Sequence, residues 1–511
     1  MIPEFYEDKE IFITGGSGIV GTALIEQILR FCNVRKIYLL LRPKRNMTLA
    51  ERLEKVKEEL VFRKLKIEKP HELDNKLTAI AGDAKLPMLG ITAESAKLLK
   101  NVSIIYHCAA TVRFDEPIRG ALKLNVGGTL EALKFAETLK KLEIFMHVST
   151  FFSNPYLTHV EPKFYEAPMD WKFCLGLLDR DDVGEEELDI ITRKLIVGFP
   201  NTYCFTKNLA ESLVNDYKHK LPVCIYRPSI VFFALEQPEP GFSPSLMGVM
   251  GLYAVTGAGL LKTIYVDKNN RLDISPQDIS VKNMLYFTLK AAQLYEKKSK
   301  PKEIPVYMTS NCTHFNMTLV QYLNIMDDFG LWEKGAYEKS LLVPGVHYTT
   351  NRFVYMFFVF LLQLLPALFV DFILMLMGRK PVLMRIQRKV FQTLEVMQPF
   401  MFNNYESEGI TDFKEMHKQL KGTNFDVNIL LSGCNLFTNA NFCKDMVFSV
   451  RDLLFKEDPK TLPKSRRIFQ IKVWLYKFIK FLVLYKVFVK LMEYIASYYT
   501  EWRHNGLCSF D

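Results

Sequence analysis

Cysteine is sparse and irregularly spaced in this chain, which has nine cysteines among 511 residues. An odd number without regular spacing excludes a disulfide framework and favours a reducing compartment. The first ten residues, MIPEFYEDKE, lack the basic start and the apolar run of a signal peptide. Long apolar stretches are also scarce, and the most apolar, residues 354–377, is long enough to cross a bilayer. We expect neither a secreted, disulfide-bonded protein nor a bound metal.

Charge is unevenly distributed along the chain. Lys and Arg number 66 against 56 Asp and Glu, which gives a formal net charge of +10, and 24% charged with 13% aromatic residues excludes intrinsic disorder. The last 61 residues contain twelve of the basic and six of the acidic residues, so they hold more than half of the surplus. A basic surplus interleaved with Phe, Leu, Tyr and Trp favours contact with an anionic membrane or an acidic ligand.

Short apolar strands alternate with helical patterns through the first half of the chain. This alternation predicts an α/β fold in which helices cover both faces of a doubly wound parallel sheet of the Rossmann type. From about residue 300 the alternation stops, and helical sequence rich in Lys and Phe follows. We therefore predict a cofactor-binding domain over residues 1–345, which includes the substrate-binding part, and a mainly helical, membrane-associated domain over residues 346–511. The predicted strands are 11–14, 37–41, 77–83, 102–107, 144–150 and 223–228.

A glycine-rich turn follows directly after the first predicted strand and leads into a helix, with the sequence TGGSGIVG. Glycines in this place permit a tight turn and a close approach of the backbone to a pyrophosphate, while the helix N-terminus attracts the phosphates. A glycine triplet alone is a weak signal, but in the first strand–turn–helix unit of an alternating chain it predicts a dinucleotide site. The residues of this site are Thr14, Gly15, Gly16, Ser17, Gly18, Ile19, Val20 and Gly21.

Basic residues follow the second strand, where an acidic residue would bind the ribose hydroxyls of NAD. Arg42 and Lys44 instead suit the 2′-phosphate of NADP, although basic residues at a strand end also serve solubility. We therefore expect NADPH as the cofactor. Asp83 closes the third strand, where an acid can accept a hydrogen bond from the adenine. Ala109 and Ala110 follow the fourth strand, where small residues let the backbone approach the cofactor.

Tyr203 and Lys207 are four residues apart, so a helix places both on one face. A lysine ammonium next to a phenol favours the phenolate and lowers its pKa, so that the tyrosine can pass a proton to the oxygen of a carbonyl being reduced. Ser149 and Thr150, at the end of the fifth strand, can donate a hydroxyl hydrogen bond to the same oxygen. With the glycine turn upstream, this order of parts resembles that of an extended short-chain dehydrogenase/reductase.

Longer motifs resemble those of the alcohol-forming fatty acyl-CoA reductases over nearly the whole chain. No single motif is specific, but together they identify the chain as a member of that family. The motifs are TGGSGIVG at 14–21, LLLRPK at 39–44, HCAATVRFDEPIRGALKLNVGGT at 107–129, HVSTFFSN at 147–154, PNTYCFTKNLAE at 200–211, YRPSIV at 226–231, EPGF at 239–242 and LLPALFVDFILMLMGRKP at 364–381.

The resemblance implies NADPH-dependent reduction of a long-chain acyl-CoA to a primary alcohol, with two hydride transfers, an aldehyde-level intermediate and release of CoA. By motif position it implies that Tyr203 donates the proton, and that Lys207 tunes this tyrosine and binds the ribose. Thr150 matches the hydroxyl that holds the carbonyl oxygen, and Ser149 is the second choice. The resemblance also adds three residues to the cofactor site, namely Asn125, Pro228 and Ser229.

Two neighbours of these residues are interpreted differently. Cys204 is a packing residue, because a helix turns it about 100° away from Tyr203. Phe151 stands where the family usually has a small residue, and we expect its ring to crowd the acyl channel.

Two other functions stay open. The chain has features of another extended short-chain dehydrogenase, such as a sterol-type enzyme, or of a catalytically silent scaffold that binds lipid. The EPGF and LLPALFVD stretches argue against the sterol enzyme. The presence of Thr150, Tyr203 and Lys207 argues against the scaffold.

Three interpretations of residues 354–377 are open: a membrane-spanning helix, a buried core helix and a membrane-inserted hairpin. A lone span is disfavoured, since Asp371 is costly in hydrocarbon and since the basic residues that follow would lie in the lumen. Residues 471–498 predict a basic amphipathic helix, which either lies on an anionic membrane or packs on its own domain.

The expected partners are therefore a long-chain acyl-CoA and a membrane lipid surface, and nucleic acid is not expected. We expect an intracellular membrane, that of the endoplasmic reticulum before that of peroxisomes, with the catalytic domain in the cytosol.

Overall fold

The computed structural model describes residues 1–43, 46–180, 184–243, 245–297, 301–310, 317–427 and 440–507, with the backbone alone for residues 179 and 502–507. Its strands are β1 (Glu10–Thr14), β2 (Lys36–Leu41), β3 (Leu77–Ala81), β4 (Ile104–His107), β5 (Ile144–Val148), β6 (His159–Val160), β7 (Val223–Pro228), β8 (Ile230–Phe232), β9 (Thr263–Tyr265), β10 (Ile274–Pro276), β11 (Val306–Thr309), β12 (His347–Thr349) and β13 (Glu406–Ser407).

The α-helices lie between and after these strands. They are α1 (Ile2–Tyr6), α2 (Ile19–Phe31), α3 (Leu49–Lys57), α4 (Arg63–Glu68), α5 (Glu72–Lys76), α6 (Ala93–Leu98), α7 (Ile118–Ala121), α8 (Gly128–Ala136), α9 (Trp171–Gly176), α10 (Glu185–Leu195), α11 (Thr202–Asp216), α12 (Gly248–Gly257), α13 (Gln277–Glu296), α14 (Leu319–Asp328), α15 (Leu331–Lys334), α16 (Arg352–Val359), α17 (Leu365–Leu376), α18 (Leu383–Phe402), α19 (Phe413–Leu420), α20 (Ala440–Ser449) and α21 (Leu462–Leu507).

Seven strands form one parallel sheet in the order β11–β7–β5–β4–β1–β2–β3. The chain builds outward from β1 to β3 and then crosses back to β4, so the strand order reverses between β1 and β4. At such a reversal the loops at the carboxyl ends of the two strands diverge and leave a crevice for a ligand. The predicted doubly wound parallel sheet is confirmed.

Helices cover both faces of the sheet, because side chains alternate between the two faces along each strand. Ile11 and Ile13 of β1 belong to an apolar cluster that includes the buried residues of α2 and α13. Phe12, between them, belongs to a second cluster and packs against Phe135 of α8 with 5.6 Å between ring centroids. All five residues of β1 are buried, as expected for a parallel strand covered on both sides.

The C-terminal part of the chain is mainly helical and packs directly on the sheet domain. β12 pairs with β9, and β13 pairs with β6, so strands beyond residue 345 extend strands that precede it. In β13, the Ser407 hydroxyl donates to the Ser310 hydroxyl at 2.6 Å. Described residues on the two sides of residue 345 therefore pack against each other in one body.

One long apolar helix lies on the surface of this body. It consists of α16, a π-helical segment (Phe360–Leu364) and α17, and only 22% of its most apolar stretch is buried. Among the described residues it is the one helix long and apolar enough to cross a membrane. Gln363, at its middle, accepts hydrogen bonds from the backbone N–H groups of Lys262 at 2.8 Å and Thr263 at 3.0 Å. The midpoint of the helix is thus fixed to β9.

The apolar helix and α18 form a helical hairpin. The Asp371 carboxylate accepts hydrogen bonds of 2.8–2.9 Å from three backbone N–H groups at the start of α18, at residues 382–384. At the other end of the hairpin, Arg352 lies 3.7 Å from Glu395 of α18. The two ends of the segment 352–395 therefore lie side by side, and the carboxylate that is costly in hydrocarbon is a helix cap.

Helix α21 is much longer than the predicted segment 471–498. It has 46 residues, which corresponds to a length of about 69 Å. Its first turns contact the body, where Arg466 donates to the Lys334 carbonyl at 2.9 Å and Lys472 donates to the Ser340 carbonyl at 2.6 Å. From residue 474 to 499 nearly every side chain is exposed, including Trp474. The interpretation that this segment packs on its own domain is therefore wrong.

Candidate active site

The glycine turn lies between β1 and α2, as predicted. Gly15 has a φ of +71°, and a Cβ at this position would lie 2.5 Å from the backbone nitrogen of Ala109. A Cβ at Gly21 would lie 2.4 Å from the Cα of Gly16, so α2 packs directly on the turn. Gly18 is the N-cap of α2 and supplies no side chain to cap its first N–H groups, which leaves them suited to an anion. Of the other residues predicted here, Ser17 is exposed, whereas Ile19 and Val20 are half-buried.

Thr14 and His107 join the ends of β1 and β4 beside this turn. The Thr14 Oγ1 lies 2.8 Å from His107 Nδ1 and accepts the Ala109 N–H at 3.3 Å, and His107 Nε2 lies 3.2 Å from the Thr129 hydroxyl of α8. Burial lowers the pKa of His107 to about 3, so the ring is neutral at ordinary pH. This network fixes the backbone at Ala109 and Ala110 next to the glycine turn.

The basic end of β2 lies at the same edge of the sheet. Arg42 is exposed, and Lys44 lies outside the described residues. Arg52, near the start of α3, donates a hydrogen bond to the Arg42 carbonyl, so a second guanidinium lies at the end of β2. Arg52 was not predicted from the sequence, although a basic residue early in the helix after the second strand is a signal that points to it. Asp83 follows β3 and accepts the Lys85 N–H at 3.0 Å.

Tyr203, Lys207 and Thr150 come together at the carboxyl end of β5. Tyr203 lies in the first turn of α11 and is half-buried, whereas Lys207, one turn later, is 2% exposed. The Lys207 ammonium donates to the Val148 carbonyl at 2.7 Å. Thr150, two residues after that carbonyl, is also buried.

Burial controls the protonation of this group. It raises the pKa of the Tyr203 phenol, and the interaction of the phenol with the Thr150 hydroxyl opposes that shift. Burial also lowers the pKa of Lys207 to about 8. The expectation that Lys207 pulls the tyrosine pKa toward neutrality is therefore wrong, since burial raises that pKa instead. A phenol with a raised pKa stays protonated near neutral pH, as a proton donor must.

Ser149 is tied into a buried ion pair. Its hydroxyl donates to the Glu211 carboxylate of α11 at 2.5 Å. Glu211 pairs with Arg227 of β7 at 2.6 Å, and both side chains are 0% exposed. Arg227 also donates to two backbone carbonyls in the loop 161–163, at 3.0 and 3.3 Å. Of the two strand-end hydroxyls, it is therefore that of Thr150 that interacts with the phenol.

The remaining residues predicted for the cofactor site also lie at this edge. Asn125 lies in a π-helical segment between α7 and α8 and is 1% exposed. Its Oδ1 accepts the Thr111 N–H at 2.8 Å and its Nδ2 donates to the Thr206 hydroxyl at 2.9 Å, so it joins the loop after β4 to α11. Pro228 and Ser229, at the end of β7, are buried, and the Ser229 hydroxyl has no hydrogen-bond partner among the described residues.

Aromatic rings surround Tyr203. Phe114, in the loop after β4, lies 5.6 Å from the Tyr203 ring, measured between centroids. Phe400 of α18 lies 5.6 Å from Phe114 and 5.2 Å from Phe152. Phe151 is 1% exposed and its ring lies 5.2 Å from that of Phe152, and the expectation that it crowds the acyl channel stays a prediction. Nothing in the local sequence indicates Phe400, which comes from the C-terminal helical part.

Cys204 follows Tyr203 and is fully buried, and burial raises the pKa of its thiol. The side chain lies in the apolar cluster beneath α11. This location agrees with its interpretation as a packing residue.

Known proteins share this combination of fold and motifs. Residues 13–284 match the family model NAD_binding_4 and residues 362–457 match the model Sterile, both described as male sterility protein. The chain is 33% identical over 474 residues to fatty acyl-CoA reductase wat of Drosophila melanogaster, which covers 92% of this chain and 89% of the relative. The chain belongs to the fatty acyl-CoA reductase family. Fatty acyl-CoA reductase 1 of Homo sapiens is 32% identical over 474 residues, with 91% and 88% covered.

Two solved structures have a fold similar to that of this chain. The terminal R domain from the myxalamid PKS-NRPS pathway superposes with a TM-score of 0.53 at 19% identity, covering 87% of this chain and 90% of that one. The reductase domain of a nonribosomal peptide synthetase from Mycobacterium tuberculosis gives 0.55 at 16% identity, with 88% and 92% covered. The reductase is thus an oxidoreductase of the fatty acyl-CoA reductase family, with a nicotinamide cofactor domain of the short-chain dehydrogenase/reductase type.

We expect the two residues with strand-end hydroxyls, Thr150 and Ser149, to respond differently to replacement by alanine. Thr150→Ala removes the hydroxyl beside the phenol, and we expect kcat for acyl-CoA reduction to fall by about 10²–10³-fold. Ser149→Ala leaves the Glu211 carboxylate short of one donor, and we expect it to lower the free energy of unfolding by about 1–3 kcal/mol with a much smaller change in kcat. Steady-state kinetics and thermal unfolding of both variants measure this difference. Equal losses of kcat would contradict it.

Proposed function

We propose that this protein reduces long-chain fatty acyl-CoA to the primary alcohol with NADPH and releases CoA. Each alcohol requires two molecules of NADPH, two hydrides and two protons, with an aldehyde-level intermediate between the two reductions. The observation that carries the proposal is the grouping of Tyr203, Thr150 and Lys207 next to the glycine turn, in a chain of the fatty acyl-CoA reductase family.

The residues at the switch between β1 and β4 fit a dinucleotide. When bound, the nicotinamide supplies hydride to the carbonyl carbon. The close approach of Gly15 to the backbone of Ala109 leaves no room for a side chain, as a site for a pyrophosphate requires. Arg42 and Arg52 supply two guanidinium groups for a 2′-phosphate. The other residues proposed to hold the cofactor are Thr14, Gly16, Ser17, Gly18, Ile19, Val20, Gly21, Lys44, Asp83, Ala110, Asn125, Tyr203, Lys207, Pro228 and Ser229.

Three side chains serve the reacting carbonyl in this proposal. The Tyr203 phenol donates its proton to the carbonyl oxygen as negative charge develops there. The Thr150 hydroxyl donates a hydrogen bond to the same oxygen. The Lys207 ammonium, oriented by its hydrogen bond to the Val148 carbonyl, binds the ribose of the cofactor. Phe114 and Phe152 exclude water from the carbonyl.

Replacement of the proton donor tests the reaction directly. We expect Tyr203→Phe to lower alcohol formation from acyl-CoA and NADPH by at least about 10²-fold, because the ring stays and the proton is lost. Affinity for NADPH should be nearly unchanged. Tyr217→Phe, at the end of the same helix, is the matched control and should keep full activity. Gas chromatography of the products measures alcohol and aldehyde, and substantial turnover by the Phe variant would remove Tyr203 from this role.

The preference for NADPH over NADH is tested at the end of β2. We expect the double variant Arg42→Ala, Arg52→Ala to raise the Kd for NADPH by about tenfold or more, because two charged hydrogen-bond donors to the phosphate are lost. The Kd for NADH should change little. Arg35→Ala is the control, since Arg35 precedes the same strand and pairs with Asp8. Fluorescence titration measures both constants, and an equal loss for the two cofactors would refute the assignment.

We further propose that the helical hairpin docks on the cytosolic face of an intracellular membrane without crossing it, with the endoplasmic reticulum as the first candidate and peroxisomes as the second. The exposed side of the apolar helix carries large apolar side chains along its whole length, which suits the acyl region of a bilayer. The turn after α17 exposes Arg379 and Lys380, which suit lipid phosphates. The exposed apolar residues are Phe353, Phe357, Phe360, Leu361, Leu365, Leu368, Phe369, Phe372, Leu376 and Met377.

Two observations support docking over spanning. The ion pair of Arg352 with Glu395 brings both ends of the hairpin to one side, and Gln363 fixes the middle of the helix to β9. Helix α21 passes near α16: the His347 ring stacks on Phe358 of α16, and the pKa of His347 is lowered by burial and, less strongly, by the charges of Lys262 and of Lys480 on α21. The exposed apolar residues of α21 therefore extend the apolar surface of the hairpin. In this proposal a long-chain alcohol product has a bilayer close to the site of its formation.

Cysteine accessibility separates docking from spanning. The protein is added to preformed sealed vesicles, and an impermeant maleimide is added outside. We expect Thr350→Cys and Gln392→Cys, on the two flanks of the hairpin, to react equally over the wild-type background. Phe372→Cys, on the exposed apolar face, should be protected by lipid and react without vesicles. A spanning helix would protect one of the two flanks until the vesicles are opened.

A further inference from the structure

Helix α18, the second helix of the hairpin, extends to the surroundings of Tyr203. Its first N–H groups are capped by Asp371 of the apolar helix, and its last turn carries Phe400. Twenty helical residues span about 30 Å. Helix α18 of the C-terminal part thus extends from the proposed membrane face to the aromatic rings beside the proposed proton donor.

The position of Phe400 is fixed from several sides. The carbonyl of Met401 accepts the Asp267 N–H at 3.2 Å, and the carbonyl of Asn403 accepts the Asn270 side chain at 2.9 Å. These two contacts hold the end of α18 on the sheet domain. The ring of Phe400 is nevertheless half-buried rather than enclosed, as is that of Phe114 beside it.

The surroundings of Tyr203 contain both polar and aromatic groups. The Thr150 hydroxyl interacts with the phenol, and the Lys207 ammonium lies one helical turn away. The Tyr203 ring packs against Phe114, and Phe114 packs against Phe400, with 5.6 Å between the ring centroids of each pair. An acyl chain leaving the carbonyl has apolar contacts along these rings, where aromatic carbon replaces water around its methylene groups.

We propose that Phe400 is a specificity-determining residue of the reductase, which contacts the acyl chain beyond the ring of Phe114 and so makes the C-terminal part a wall of the substrate site. This inference rests on the proposed function, because it assumes a fatty acyl substrate. Phe114 and Phe152, on two other loops, complete the wall, with 5.6 and 5.2 Å between their ring centroids and that of Phe400.

Substitutions of opposite size test this contact. Phe400→Ala opens the wall. We expect kcat/KM for the preferred acyl-CoA to fall at least about tenfold, mainly because KM rises, and the preferred acyl chain to become longer. Phe400→Trp narrows the wall and should move the optimum toward shorter chains. Affinity for NADPH should be unchanged in both variants, because the rings that Phe400 contacts, those of Phe114, Phe152 and Tyr405, are not among the residues proposed to hold the cofactor.

Phe402→Ala is the matched control for loss of packing at the same helix end. Phe402 lies 4.6 Å from the ring of Tyr265, on the other side of α18, and its loss should leave the chain-length profile unchanged. Phe400→Leu keeps an apolar side chain and serves if the Ala variant fails to fold. The full-length protein is assayed with NADPH and saturated acyl-CoA of graded length, and thermal unfolding is recorded for every variant.

The outcomes separate the two proposals. A wild-type protein that forms no alcohol from any acyl-CoA overturns the proposed function. An active wild type whose length profile is the same in the Ala, Leu and Trp variants overturns the role of Phe400 alone. A profile that moves in opposite directions for Ala and Trp, with Phe402→Ala unchanged, supports it.

Discussion

The buried ion pair of Glu211 with Arg227 is the constraint on which the geometry of the site depends. Both side chains are fully buried, so each charge must find its partners inside the protein. The pair joins the middle of α11 to β7, and the Ser149 hydroxyl and two loop carbonyls complete its hydrogen bonds. Loss of one member would leave a buried charge, at a cost of about 3–5 kcal/mol. Helix α11, with Tyr203 in its first turn, is thereby held in one position over β5.

Around this fixed helix the site has two halves of different origin. The polar half comes from the edge of the sheet and from α11: the glycine turn and Thr150 lie at the sheet edge, and Lys207 lies on α11. The apolar half comes from loops and from the C-terminal part, with Phe152, Phe114 and Phe400. In the proposed function the sheet edge holds the cofactor, while the C-terminal helices contribute the surface that meets an apolar ligand.

The sequence predicts what depends on local pattern. The strand–helix alternation, the glycine turn and the spacing of Tyr203 and Lys207 each lie within a few residues, so sheet and site were accessible from them. The resemblance ranked Thr150 before Ser149, but the residues alone left both open, because their difference depends on Glu211, 62 residues after Ser149. Phe400 could not be predicted either, because its contact with the site also joins residues that are far apart in the sequence. The raised pKa of Tyr203 depends on burial that only the assembled fold produces.

The closed geometry of the hairpin has a consequence for how the protein would reach a membrane in the proposed docking. Since Arg352 and Glu395 are neighbours, the segment 352–395 does not have to be threaded to the far side of a bilayer. A finished polypeptide released from the ribosome can fold around its sheet and then adsorb to lipid, without an insertion machinery. Its attachment would then be an equilibrium, set by the lipid composition that each membrane offers and open to exchange between membranes.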